Sequence, residues 1–338
     1  MVAVRAFERD RDLSAVLELV GRSWARRETG AIFHPGGLQW WLRKLGRPGF
    51  DVAVLAEGDA LLGFALHDEG DVLVQADAGH AKDQLELLAW VEARARVAAE
   101  PKIFVSVAEG DDALREAVVS RGYEPSERYG YELVHDLVAD PGPPDLAPGY
   151  DLISLTPALA DRYVALHRAA WSRPGAPSTY DRQQHDAVTA MPDFRYDLVP
   201  IVAARGGALA AYCMSWWDPR SRSVEIEPLG THIDFRRQGL ARAIVREVLR
   251  RSWAIGASYV LVWGGTTNPE AKALYLSAGL RSRRILHDYR SPGRVASLRG
   301  LRAEGRLGVG GPLPPLLGSA TRPAGRLSPE LHRRKGRA

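Results

Sequence analysis

The stretch VEIEPLGTHIDFRRQGLA, residues 224–241, decides more about the fold than any other part of the chain. Apolar and acidic residues alternate over 224–227, which predicts a β-strand of period two. After a short polar turn, residues 236–241 lead directly into a segment whose apolar residues recur at helical spacing. The sequence therefore predicts a strand, a turn and a helix N-terminus in direct succession.

A helix N-terminus placed after a strand and a short turn can bind an anion. Its unpaired backbone N–H groups and the positive end of the helix dipole converge there. Gly239 lets the backbone approach a bulky phosphate, and Arg236 and Arg237 add positive charge. The functional interpretation is a pyrophosphate site, and the alternative is an ordinary turn with a solvated arginine pair.

A second motif follows the apolar strand predicted at 259–262. Asn268 is suited to cap a helix whose first residue is Pro269, and Gly279 is suited to end it. No cluster of His, Cys and Asp has the spacing of a metal site. The two motifs together favour the pyrophosphate interpretation of the first.

Together the two blocks resemble the GNAT acetyltransferase superfamily. Its first motif, Arg/Gln-x-x-Gly-x-Gly/Ala, is matched by Arg236, Gly239 and Ala241. Its second motif, Asn-x-x-Ala-x-x-Leu-Tyr-x-x-x-Gly-Phe, is matched from Asn268 onward, with Leu280 in place of Phe. The resemblance implies an N-acetyltransferase with acetyl-CoA as cosubstrate and no metal.

The resemblance also implies which residues hold the cosubstrate. Leu229 and Thr231 would offer backbone groups to the pantetheine arm and the thioester carbonyl. Asn268 would bind the pantetheine, or it would only cap its helix. The full predicted set is Leu229, Thr231, Arg236, Arg237, Gln238, Gly239, Leu240, Ala241 and Asn268.

Acetyl transfer to an amine also needs a base and an acid. Glu225 and Glu227 lie two apart on one strand and so face the same side. Glu225 stands fourteen residues before Gly239, where some family members place a general base, so it is the first candidate. Glu227 or a water molecule is the alternative. Tyr275, in the motif's tyrosine position, would protonate the leaving thiolate, or it is simply a packed tyrosine.

A proline-rich linker at 139–149 divides the chain into halves with the same order of predicted elements. The sequence and the resemblance predict an α/β fold with two tandem GNAT-like domains, each a mostly antiparallel mixed sheet flanked by helices. The first domain spans 1–138 and the catalytic domain 150–290. The basic Gly/Pro/Arg-rich tail at 291–338 is predicted to be disordered. The last strand of the second sheet would have to come from around 292–298.

The first domain lacks both motifs and is predicted to be a degenerate half with a structural or substrate-shaping role. Aligning the glycines that end the two motif helices puts Asp111 in the position of Asn268 and Val118 in that of Tyr275. A half that has lost these groups would be kept for burying surface against the active half. Its candidate contact residues are Trp40 and Trp41.

The composition excludes several classes of function. The net charge is +4, but residues 291–338 carry +8 and the preceding 290 carry −4, so no nucleic-acid surface is predicted on the folded part. No apolar run reaches the roughly 18 residues that span a membrane. The charged N-terminus is no signal peptide. The single cysteine, Cys213, forms no internal disulfide, and a cytoplasmic protein is expected.

The acceptor is not identified by any motif. A small-molecule amine is expected, and Trp171, Trp216 and Trp217 are either pocket walls or core residues. His185 and His232 are read as structural or surface histidines. The alternatives are a non-catalytic acyl-CoA-binding module, a mycothiol-synthase-like enzyme, and a protein acetyltransferase with an open acidic groove. The oligomeric state stays open.

Overall fold

The two halves of the chain repeat one succession of helices and strands, as a computed structural model of the protein shows for residues 2–266 and 268–292. The first half comprises β1 Val2–Ala6, α1 Arg9–Ala25, α2 Pro35–Leu42, β2 Phe50–Glu57, β3 Ala60–Asp68, β4 Asp71–Ala76, α3 Gln84–Val97, β5 Phe104–Ala108, α4 Asp112–Ser120 and β6 Glu124–Asp136. The second half comprises β7 Tyr150–Ser154, α5 Ala160–Trp171, α6 Arg182–Thr189, β8 Pro200–Ala204, β9 Leu209–Asp218, β10 Ser223–Thr231, α7 Leu240–Ala254, β11 Tyr259–Gly265, α8 Pro269–Ser277 and β12 Arg281–Arg290. The predicted α/β class with mostly antiparallel pairing and flanking helices is confirmed.

All twelve strands form one continuous sheet in the order β1-β2-β3-β4-β5-β12-β6-β11-β10-β9-β8-β7. The last strand of each half is exchanged. β12 of the second half lies between β5 and β6 of the first, and β6 lies between β12 and β11. Both exchanged strands run antiparallel to all their neighbours. The two halves therefore cannot complete their sheets independently.

This exchange replaces the edge strand that was expected around 292–298. The edge of β11 is covered by β6, from the pair Tyr259 and Asp136 to the pair Gly265 and Gly130. Ser291, just after β12, donates its backbone N–H to the carbonyl of Ile103, which extends the pairing of β12 with β5 by one residue. Residues 293–338, which contain most of the predicted edge strand and of the tail, lie outside the described residues.

A buried ion cluster fastens the exchanged strands to each other. Glu132 of β6 is fully buried and forms ion pairs with Arg283 and Arg284 of β12. The guanidinium of Arg284 also donates to the carbonyls of Thr29 and Ala31. Because removal of one member would leave a buried charge unpaired, this cluster favours one register of the exchange.

A notch opens in the sheet at the same place in each half. β10 and β11 run parallel but pair only over Ser223–Glu225 with Tyr259–Leu261, after which the two strands diverge. β4 and β5 likewise pair only over 71–73 with 104–106. Backbone groups of the diverging strands are thereby left available to a ligand in the notch.

Apolar clusters pack on both faces of the sheet. On one face of β10, Val224 and Ile226 pack with residues of α7 and with Tyr275. On the opposite face, Trp216 of β9 belongs to a cluster that both halves build, with Trp40 among its first-half members. No helix in the described ranges is long and apolar enough to span a membrane.

Candidate active site

The predicted anion site is the loop that joins β10 to α7. Gly239 is the N-cap of α7 and has φ = 78°, and Arg237 has φ = 62°. Within the described part of the chain, no side chain caps this helix, so the first N–H groups of α7 remain available. A Cβ built on Gly239 would meet no atom within 4 Å, which leaves open space above the loop. The loop fits a pyrophosphate.

The two arginines of this loop have different surroundings. The guanidinium of Arg236 donates to the carbonyls of Ala170, at 2.7 Å, and Thr231, at 3.3 Å. Arg236 thus ties the loop to α5 and β10. Arg237 is exposed to solvent, and it is the arginine that is free to approach a phosphate. The side-chain oxygen of Gln238 accepts a hydrogen bond from the hydroxyl of Tyr150.

The predicted pantetheine contacts lie along the notch. Leu229 and Thr231 of β10 pair with Cys213 and Ala211 of β9. The opposite edge of β10 faces the notch. The hydroxyl of Thr231 is buried and makes no hydrogen bond with any described residue. An unpartnered buried hydroxyl is costly, so a polar group of a ligand would be favoured there.

α8 brings the second motif to the same face of the sheet as α7. The side-chain oxygen of Asn268 accepts from the backbone N–H of Ala271 at 3.1 Å and caps this helix. Tyr275 is 7% exposed and packs in the cluster of α7. Burial raises the pKa of Tyr275 well above its ordinary value. The hydroxyl therefore remains protonated and can donate.

Glu225 is buried against the first half of the protein. Its Oε2 lies 3.4 Å from Nδ1 of His34, and a Cβ on Gly37 would come within 2.4 Å of the same oxygen. The other ring nitrogen of His34 lies 3.1 Å from the hydroxyl oxygen of Ser223. Burial raises the pKa of Glu225 and the nearby His34 opposes this. In this position Glu225 joins α2 to β10.

Glu227, two residues further along β10, lines a cavity instead. Burial raises the pKa of Glu227 to about 8, with repulsion from Glu225 adding to the rise and Arg43 and Lys44 opposing it. A carboxyl group with this pKa exchanges its proton near neutral pH, as a general base must. The structure thus separates the two carboxylates that the strand pattern left equivalent.

The cavity beside Glu227 has a volume of about 600 Å³ and lies between the halves. Ligand pockets typically have volumes of about 300–1,000 Å³. The first half contributes Trp40, Trp41, Arg43, Lys44 and Arg47 to its walls. The second half contributes His167, Trp171, Tyr180, Glu227 and Pro228.

Of the predicted tryptophans and histidines, Trp171 lines this cavity and the other four lie elsewhere in the described structure. Trp171 lines the cavity and donates its indole N–H to the hydroxyl of Tyr212 at 2.9 Å. Trp216 is 1% exposed and donates to the backbone carbonyl of Glu227 at 2.8 Å. Trp217 packs on the opposite face, in the cluster of α7. His185 is buried and its Nδ1 lies 3.2 Å from the hydroxyl of Tyr180, whereas Nδ1 of His232 accepts from the N–H of Asp234.

His167 is a cavity residue that sequence reasoning missed. Its ring stacks on that of Tyr180, with 3.9 Å between the ring centroids. It also stacks with the ring of Trp171, with 6.1 Å between the centroids. Burial lowers the pKa of His167 to about 3, so the ring is neutral and serves as an aromatic wall. The only sequence signal was its place on the predicted helix before Trp171.

The corresponding notch of the first half is filled by its own chain. The strand registers place Gln75 of β4 where β10 has Glu227. Its side-chain oxygen accepts from the backbone N–H groups of Ile32, at 3.3 Å, and Phe33, at 3.4 Å. Asp111 caps α4 as Asn268 caps α8. The first half therefore keeps the helix cap of the second motif, but its notch is not open to a ligand.

Among the described residues, no group of three or more His, Cys, Asp or Glu could hold a metal ion. The two motifs contribute to the site side chains of β10 and α8 and backbone N–H groups of α7. They occupy both faces of the sheet, and the notch connects the two.

The sequence profile of the Acetyltransferase (GNAT) family matches residues 159–280. No curated protein sequence matches the chain. A tandem GNAT protein from the clavulanic acid biosynthesis pathway superposes with a TM-score of 0.60 at 16% identity, covering 88% of this chain and all of that one. A GCN5-related N-acetyltransferase from Sphaerobacter thermophilus has a TM-score of 0.54 at 18% identity and covers 86% of this chain and 96% of its own. A GNAT-family acetyltransferase from Colwellia psychrerythraea has a TM-score of 0.54 at 12% identity, over 86% and 100%. At these identities the structures establish a shared fold, and the predicted resemblance is confirmed.

Proposed function

We propose that this chain, whose residues 159–280 form a GNAT-family domain, transfers an acetyl group from acetyl-CoA to the primary amine of a small molecule. One observation carries the proposal. Glu227 lines a cavity at the point where β10 and β11 diverge, and its pKa is raised to about 8. A carboxylate of this kind is suited to accept a proton from an amine at the end of the notch.

The residues that would hold the nucleotide are those of the β10–α7 loop. The N–H groups at the start of α7 and the cation of Arg237 would bind the pyrophosphate, because both favour negative charge. The free edge of β10 from Leu229 to Thr231 would hydrogen-bond the pantetheine arm. The pyrophosphate contacts are remote from the reacting atoms, so their binding energy would serve to position the thioester.

The bound cosubstrate supplies an acetyl thioester as the electrophile. Glu227 takes the proton of the acceptor's ammonium group, directly or through water, so that the neutral nitrogen attacks the thioester carbonyl. A C–N bond forms and the C–S bond breaks. Tyr275 donates its proton to the departing sulfur and recovers one from the solvent, while the nitrogen loses its second proton to the solvent and Glu227 releases there the proton it took. The products are the acetamide and the free thiol.

The size and the lining of the cavity favour a small acceptor over a protein. A protein acetyltransferase needs an open groove for a peptide segment, and an acidic one for a lysine-containing segment. Here aromatic rings surround the space and three basic side chains line it, namely Arg43, Lys44 and Arg47. The competing non-catalytic module would bind coenzyme A in the same loop without releasing thiol.

We expect coenzyme A to bind the full chain with a stoichiometry of one, in the second half, as measured by isothermal titration calorimetry. With acetyl-CoA and a panel of small amines, thiol release should depend on the amine and should yield the acetylated product by mass spectrometry. Binding without amine-dependent thiol release would favour the non-catalytic module. Two molecules of coenzyme A bound per chain would contradict the prediction that the first half has lost its binding site.

Replacing Tyr275 by phenylalanine should lower kcat by about 10-fold or more while leaving the affinity for coenzyme A unchanged. Only the proton donor is lost, since the ring still fills its place beside α7. Tyr123→Phe is the matched control, because it removes a buried tyrosine hydroxyl that donates to Glu92 in the first half. Full activity of Tyr275→Phe would assign the proton transfer to water.

A further inference from the structure

We propose that the acceptor carries a carboxylate as well as its amine, and that Arg43 of the first half binds this carboxylate in the cavity. This inference rests on the proposed function and adds the chemical class of the acceptor. The residues concerned come from both halves, with Arg43 immediately after α2 and Glu227 on β10. The degenerate half would then supply substrate specificity.

Arg43 is a cation without a counter-ion within the described ranges. Its guanidinium stacks over the ring of Trp40 at 3.5 Å, and one of its N–H groups donates to the carbonyl of the same residue. Its Nε is buried and has no hydrogen-bond partner among the described residues. Burial lowers the pKa of Arg43 to about 10, so it remains charged at neutral pH. Such a group favours a ligand that offers it an anionic oxygen.

The other two cations of the cavity are already neutralised. Lys44 forms an ion pair with Asp68 at 2.5 Å. Arg47 forms one with Asp181 at 2.6 Å, across the two halves. Glu227 is mostly protonated at pH 7 because its pKa is about 8. Among the described residues, Arg43 is therefore the one basic side chain of the lining without an ion pair, while Glu69, another lining residue, is exposed to solvent.

An ammonium group without an anion would be repelled by this charge. A carboxylate on the same molecule reverses the effect, and the planar guanidinium can donate two parallel hydrogen bonds to it. The rings of Trp41, Trp171 and Tyr180 leave space for an organic body between the two polar ends. The structure thus favours an amino acid or a related amino-carboxylate.

Matched sets of acceptors test this inference in the full chain. Each set has an amino acid, its carboxamide and its decarboxylated amine, for example phenylalanine, phenylalaninamide and phenethylamine, with ω-amino acids added to vary the spacing. We expect kcat/KM to be at least 10-fold higher for the acids at saturating acetyl-CoA. Calorimetry with coenzyme A present should show the same order of binding.

Arg43→Gln should raise KM for the acids at least 10-fold and remove their advantage over the amides, with KM for acetyl-CoA unchanged. Arg43→Lys should restore part of the advantage, because the charge returns without the planar fork. Arg94→Gln is the matched control, since Arg94 is also a first-half arginine beside a tryptophan ring but lies outside the cavity.

Two results would overturn the inference. Equal use of acids, amides and simple amines by the wild-type protein would exclude carboxylate recognition while leaving the acetyltransferase proposal intact. Turnover of no amine at all would remove both. If Arg43→Gln does not fold, the preference of the wild-type protein among the matched acceptors decides the question alone.

Discussion

Replacing Glu227 by glutamine will lower kcat by about 10²- to 10⁴-fold, the range that general-base catalysis typically contributes. The amide has the same shape but cannot take the proton of the attacking ammonium. The indole N–H of Trp216, which donates to the backbone carbonyl of Glu227, keeps its partner. Steady-state thiol release at saturating acetyl-CoA measures the effect, and coenzyme A affinity should not change.

Glu225→Gln is the matched control, two residues away on the same face of β10. Because Glu225 contacts His34 and Gly37 of the first half, we expect its loss to lower thermal stability and to leave kcat within a few-fold. The reverse outcome, with Glu225→Gln inactive and Glu227→Gln active, would return the base role to Glu225. If both variants keep full activity, water would be assigned the base role.

The pH profile provides an independent check on Glu227. Its carboxyl group must lose its own proton before it can accept another, so the active form is populated above its pKa. With a pKa of about 8, kcat of the wild-type protein should rise with pH through this value and then level off. Glu227→Gln should lose this ionisation when it is measured with the same acceptor, whose own titration is common to both proteins.

Gly239→Leu will weaken coenzyme A binding by about 100-fold or more. The side chain would occupy the open space above the loop, and the φ of 78° would strain any residue with a Cβ. Loss of one or two charge-assisted hydrogen bonds to the pyrophosphate accounts for a change of this size. Isothermal titration calorimetry with coenzyme A provides the measurement.

Gly256→Leu controls for the backbone strain at the opposite end of α7. Gly256 has φ = 83°, and a Cβ there meets no atom within 4 Å. The free energy of unfolding should therefore fall by a similar amount in both variants, about 1–2 kcal/mol for a left-handed residue with a side chain. Only Gly239→Leu should lose coenzyme A affinity. Unchanged affinity in Gly239→Leu would place the nucleotide elsewhere.

Most of the local structure around the site could be predicted from the sequence. β10 contains the alternating segment 224–227, α7 begins at Leu240 directly after Gly239 as predicted, and Asn268 caps α8. These features depend on residues within a few positions of one another, through side-chain alternation, capping hydrogen bonds and positive φ. The family resemblance extended them to the fold class.

The candidate base could not be chosen from the same information. Period-two alternation places Glu225 and Glu227 on one face but says nothing about what covers each of them. Only the packing of α2 over β10 distinguishes them, because it buries Glu225 beneath Gly37 and leaves Glu227 at the cavity. The contact joins residues that are distant in the sequence and carry no shared local signal.

The sequence by itself determined the order of elements, the strand–loop–helix geometry around Gly239 and the presence of two related halves, since each depends on short-range pattern. The tertiary structure alone decided that the halves exchange their last strands, that His167 and Arg43 belong to the cavity, and that Gln75 closes the first notch. The physical reason is that strand partners and cavity walls are selected by the burial of surface between distant segments. Many pairings satisfy the same local pattern, and the packed sheet retains the one that fills its core and neutralises Glu132 with the arginines of β12.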